Sequence, residues 1–183
     1  MWRLFLILVA ACLLSFAVRA QDTNLLKTDI ELFDAQPDRV IVKGIGSIGS
    51  ISTPGGNINV HCVESTDAGS GHKLYGATFD LVRNDGRLRL AVDYNEMDPF
   101  LGGIDYLVRV TSDVTTLPSF EAQFTTKSGL AVIAYSSRKQ GIIQFYLQFE
   151  DLPRIQLTSD QVSQFRDLVN STKKTLDDLN AGK

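Results

Sequence analysis

The stretch Asp93 to Asp105, DYNEMDPFLGGID, gathers Asp93, Asn95, Glu96, Asp98 and Asp105 into thirteen residues. Carboxylates and amide carbonyls are the oxygen ligands that a hard cation takes, so Asp93, Asn95, Glu96 and Asp98 form a candidate calcium site. The EF-hand pattern is not met, because Met97 stands where another oxygen is required and no glycine follows it. A second chemistry fits the same acids. On an extended chain Glu96 and Asp98 fall on one side, where a pair of carboxylates could act as acid and base on a glycoside. Against both stands the plainer reading of loop acids beside Pro99 and Gly102-Gly103, solvated in a turn.

Other constellations are thinner. His61, Glu64, Asp67 and His72 lie within twelve positions and are ordinary zinc-ligand types. On a straight strand His61 and Glu64 point to opposite faces, so only a folded-back DAGSGH loop would join them. In NINVHCVES the alternation places Ile58, Val60 and Cys62 on one face, which makes Cys62 a packing residue with an inert thiol. No GxSxG occurs, and neither histidine neighbours a serine in a distinctive context. Asn170-Ser171-Thr172 is a glycosylation sequon that matters only in a host that glycosylates secreted chains.

GIGSIG, Gly44 to Gly49, matches GxGxxG after the strand-like Val40-Ile41-Val42. A dinucleotide fingerprint requires those glycines to open a helix whose free amides meet the pyrophosphate. Here SISTPGGNINV follows, and Pro54-Gly55-Gly56 breaks any helix. The segment reads instead as one long strand, Val40 to Ser52, with glycines for a bulge, a bend or the close approach of a neighbouring strand.

Compartment limits the chemistry further. Arg3 precedes an apolar run from Leu4 to Val18, and Val18 and Ala20 suit a cleavage site, so residues 1–20 read as a secretory signal peptide. A cut before Cys12, after Val9-Ala10-Ala11, is the lipoprotein alternative and would leave LLSFAV exposed. Cleavage after Ala20 leaves Cys62 as the lone thiol, so no internal disulfide forms. It also leaves 163 residues in which 16 basic side chains face 21 acidic ones, a net charge of −5. That balance excludes nucleic acid as a partner, since duplex binding rests on neutralised phosphates.

The elements that must position these residues are mostly strands. KLYGATFDLVR and RLRLAVDY form a hairpin about Asn84-Asp85-Gly86, with Tyr75, Ala77, Phe79 and Leu81 facing the same way as Leu88, Leu90, Val92 and Tyr94. DYLVRV, FEAQFTT, GLAVIAYSS and GIIQFYLQFE then follow as a meander through short connectors such as Lys127-Ser128-Gly129 and 138–141. The chain closes on one helix, 159–179. Thr158 and Gln161 make its capping box, Leu157 and Val162 its staple. Val162, Phe165, Val169, Leu176 and Leu179 form its stripe, with Thr172 in the gap. The expected position of that stripe is across Phe145, Leu147 and Phe149, with fraying beyond Leu176 where Asp177 and Asp178 oppose the dipole.

The expectation is a mainly β fold, an antiparallel meander, sandwich or partly closed barrel, with one C-terminal amphipathic helix packed on the sheet. Residues 21–183 form a single domain with no internal repeat. No membrane span remains after signal cleavage. The functional expectation is a secreted or periplasmic non-enzymatic binding module for a protein, a polymer or a small apolar ligand, without a cofactor unless calcium. The alternative is a secreted hydrolase using the acids of 93–105.

Overall fold

The computed structural model describes residues 27–137 and 141–182. The signal peptide, the Cys12 lipoprotein box and most of the 138–141 connector lie outside the described residues. In chain order the elements are α1 (Asp29–Asp34), β1 (Ile41–Thr53), β2 (Gly56–Asp67), β3 (Lys73–Arg83), β4 (Gly86–Asp93), a 3-10 turn (Tyr94–Glu96) and α2 (Met97–Arg109). There follow β5 (Ser119–Thr125), β6 (Leu130–Ser137), β7 (Ile143–Phe149), β8 (Ile155–Leu157) and α3 (Ser159–Ala181).

The fold is mainly β, as the alternation predicts: two four-stranded antiparallel sheets, β1-β2-β3-β4 and β5-β6-β7-β8, with no closed barrel. In the first sheet, β3 and β4 meet at Arg83↔Gly86, so Asn84 and Asp85 make the tight turn and Gly86 (φ 152°) takes the backbone angle that a side chain would resist. That register opposes Phe79 to Leu90 and Ala77 to Val92, and all four are buried on the inner face.

GIGSIG lies wholly within β1, and the β1–β2 register shifts between Ser47 and Gly49, a bulge. The glycines also make room. A Cβ on Gly46 would stand 2.7 Å from the Cys62 sulfur, and one on Gly49 would stand 2.6 Å from Leu168 Cδ2 of α3. The close approach therefore comes from a helix as well as from the neighbouring strand. Cys62 is buried beside Ile58 and Val60, as its place in the alternation requires.

Two helices depart from the expectation of a single one. Thr28 and Glu31 form a capping box that starts α1, whose Ile30 and Phe33 are buried on the outer face of the first sheet. α2 replaces both the acidic loop and the strand expected of DYLVRV. Met97, Phe100, Ile104 and Leu107 are all buried, a three- and four-residue stripe. Pro99 is tolerated because it sits in the first turn, where its missing N–H has no intrahelical acceptor.

α3 keeps its predicted start and capping box, and its stripe as far as Leu176, whereas Leu179 is exposed. Val162, Phe165, Val169, Thr172 and Leu176 are buried, and the Thr172 hydroxyl donates to the Leu168 carbonyl at 2.7 Å. It does not fray at Leu176, because Asp177 accepts from Tyr94 Oη at 2.7 Å and from Lys173 at 2.6 Å. Its position also differs from the expected one. α3 packs on β1, β2 and β3 and against α2, reaching the second sheet through β8, while α2 covers β5 and β6. A stripe of four turns needs long strands beneath it, and β1 to β3 run 11 to 13 residues where β7 has seven.

Each half of the chain is thus four meandering strands followed by a helix, and each helix seats chiefly on the other half's sheet. The exchange meets in an aromatic centre. Phe79 of β3 contacts Phe100 of α2 and Phe165 of α3, both at 5.8 Å between centroids, and Phe100 stacks on Phe124 of β5 at 5.7 Å. One core joins the inner faces of both sheets to both helices, and burying each such ring contributes about 1.5–3 kcal/mol before entropy is subtracted.

Candidate functional site

The acidic segment is a joint between elements. Asp93 ends β4 at 3% exposure, and its carboxylate accepts from the Asp29 amide (2.8 Å), the Ile30 amide (3.0 Å) and Lys127 Nζ (3.2 Å). It therefore satisfies the first amides of α1, which have no intrahelical partner. Glu96 accepts from the Lys127 amide at 2.9 Å and the Asp93 amide at 3.3 Å, tying the 3-10 turn to the β5–β6 connector. Asp98 is 78% exposed and faces Lys173 of α3 at 3.4 Å, whereas Asn95 is simply exposed. Asp105 pairs with Arg166, whose hydrogen bond holds the carboxyl below the usual range.

Glu96 and Asp98 thus serve different elements, and the four predicted calcium ligands do not converge. Among the described residues no three His, Cys, Asp or Glu side chains are grouped to hold a metal ion. The zinc set disperses as well: His61 faces Asp80, Glu64 pairs with Lys73, Asp67 pairs with Arg39, and the His72 ring meets Phe33 edge-on at 5.6 Å.

A different charged constellation stands on the outer face of the first sheet, beyond α1. Asp80 of β3 has no exposure, although its cross-strand partners Asn59 and Arg89 are polar. Arg89 grips it with two bonds, Nε to Oδ1 at 2.6 Å and a terminal nitrogen to Oδ2 at 2.9 Å. Arg87 bonds Oδ2 as well, and His61 Nε2 lies 3.4 Å from the same oxygen. Burial pushes the Asp80 carboxyl up, but the hydrogen bonds from Arg89 and Arg87 outweigh it and hold the group below the ordinary carboxylate range.

The two arginines keep about half their surface in solvent, 52% for Arg87 and 45% for Arg89. One buried anion therefore fixes two guanidinium groups on side chains that stay half exposed. Thr78, across the β2–β3 ladder from His61, is 8% exposed, and its hydroxyl has no hydrogen-bond partner among the described residues. Ser47, Ser50, Asn57 and Asn59 continue the same face across β1 and β2. Chemically the face offers hydrogen-bond donors and positive charge.

Sequence reasoning missed this cluster, although its signal was present. The Gly86 turn fixes Arg83 opposite Gly86, and counting back along both strands sets Asp80 directly opposite Arg89. Such opposed charges on one face are a sheet's ordinary pairing unit.

Fold and surface together define a two-sheet antiparallel protein with an exchanged pair of helices and an arginine-bearing outer face. No family model, curated protein or solved structure matches the chain. No described helix is long and apolar enough to cross a membrane.

Proposed function

We propose that this chain is a non-enzymatic binding module of the periplasm or cell exterior, and that the outer face of the first sheet recognises carboxylate or sulfate groups on a partner protein or polymer. The observation that carries the reading is Asp80: a carboxylate with no exposure that fixes Arg87 and Arg89 while leaving half of each in solvent. Burying a charge costs several kcal/mol unless its partners are well placed. Guanidinium groups held in this way keep further N–H donors for carboxylate or sulfate oxygens, and their fixed geometry lowers the ordering cost of binding. The leader-like amino terminus supports the compartment. The acidic balance of the whole chain disfavours indiscriminate attraction to polyanions, so selectivity rests on this local face.

Isothermal titration with polyglutamate and with dextran sulfate at low salt tests the reading. Arg87→Lys with Arg89→Lys keeps the charge but loses the forks, and the expected result is at least about tenfold weaker binding, about 1.4 kcal/mol, with an unchanged circular dichroism spectrum. Absence of binding by the parent chain to either polymer, or equal binding by the lysine variant, would refute it.

A further inference from the structure

The first sheet ends on β1, whose amino-terminal half is largely exposed. β1 pairs only with β2 among the described residues, and over 40–47 its other side carries unpaired main-chain groups. The side chains there are not those of a guarded edge. Val40 is 69% exposed, Val42 56% and Ile45 57%, whereas protected edges carry charges, proline or a covering element. The only charge in the segment, Lys43, is drawn aside to Asp34 of the same chain at 2.7 Å. The bulge after Ser47 and the seating of α3 at Gly49 stop the exposed edge there.

We infer that this edge pairs with β1 of a second copy, antiparallel about a two-fold axis, joining two first sheets into one of eight strands. Opposed residues in an antiparallel pair share a face, so the two-fold must fall on a residue. Centring on Lys43 would set like charges opposite one another, which is unfavourable. Centring on Gly44 avoids this: Val42 lies opposite Gly46, which carries no side chain of its own, and Ile45 lies along the aliphatic stem of Lys43 of the other copy. With the one lysine neutralised within its own chain, no net charge on the edge repels a like copy. Main-chain bonds supply the affinity, as in other strand additions.

Pairing also makes the two outer faces continuous, with the Asp80 clusters five strand spacings (~24 Å) apart across the sheet and about ten residues (~34 Å) apart along it. That consequence rests on the binding function proposed above, whereas the pairing is read without ligand.

Sedimentation velocity of the secreted full chain across a concentration series tests it. A reversible monomer–dimer equilibrium is expected, shifted to monomer by Val42→Lys with Ile45→Lys while the thermal midpoint of the monomer holds. A side chain at Gly44 meets only Glu64, its Cβ at 3.8 Å and its carbonyl oxygen at 3.9 Å, so Gly44→Cys folds and its copies form a disulfide across the two-fold under mild oxidation. A parent chain that stays monomeric throughout, a dimer that survives both lysines, or a Gly44→Cys variant that never crosslinks would overturn the pairing. So would a monomer that takes up a foreign extended peptide along β1, which would assign the edge to another protein.

Discussion

Asp93 separates a metal site from a structural joint most sharply. Asp93→Ala strips the acceptor from two backbone amides, Ile30 in a buried setting and Asp29 in a half-buried one, and frees Lys127 from its partner. An unsatisfied buried donor costs about 1–3 kcal/mol, and the loss of a cap about 1 kcal/mol. The lysine pair adds little, because Lys127 is 37% exposed. The loss totals about 2–4 kcal/mol, and a domain of this size shifts its midpoint by about 2–4 °C per kcal/mol. Asp93→Ala should therefore melt about 5–15 °C below the parent. Calorimetry in calcium and in chelator is the assay. The drop should be identical in both, and Asp98→Asn, whose carboxylate is 78% exposed, should shift stability by no more than about 0.5 kcal/mol. A drop seen only with calcium present, or a parent midpoint that falls on chelation, would refute the reasoning.

Further predictions test other parts of the fold. Asp80 has a folded-state pKa below its unfolded value, so the unfolded chain binds the extra proton in acid. Its stabilisation is present above the ordinary carboxylate range of about 3.9 and is lost as pH falls through the lower folded value. Asp80→Asn should accordingly show a shallower acid limb in urea titrations, and an unaltered limb would contradict the assignment. Gly76→Ala should cost about 1–3 kcal/mol by overpacking, since its Cβ would stand 2.7 Å from the Val92 carbonyl oxygen and 3.3 Å from Ile30. Gly49→Ala should cost under about 1 kcal/mol, because it meets only the tip of Leu168, which can turn aside; chemical denaturation compares the two. Phe165→Ala, 1% exposed between Phe79 and Phe100, should cost about 3–5 kcal/mol by the same method.

What could be read from the residues depended on whether a signal was local. α3 announced itself through Thr158, Gln161 and an unbroken stripe, and the β3–β4 hairpin through Gly86, because caps and turns act within a few residues. The context after GIGSIG was equally decisive. α2 was obscured because Pro99 and Gly102-Gly103 look like breakers, and because Tyr106, Val108 and Val110 alternate as a strand would, while the helical stripe of Met97, Phe100, Ile104 and Leu107 runs through the same residues. α1 carries a Thr28-x-x-Glu31 box, but at six residues it is too short to show a helical stripe. The seat of α3 depended on strand length and on α2 already covering β5 and β6, which are long-range matters. The acids of 93–105 misled for a related reason: their partners, Ile30, Lys127 and Arg166, lie far away in the chain.

The crossing of each closing helix to the opposite sheet bears on how the molecule would come apart. A protease that nicked the exposed 111–118 connector would leave two fragments, each still holding its helix in a cradle supplied by the other, so the severed pieces should travel together through a sizing column. Expressed singly, either fragment would present a bare apolar sheet to water and a stripe with nowhere to lie, and would precipitate until its counterpart was added.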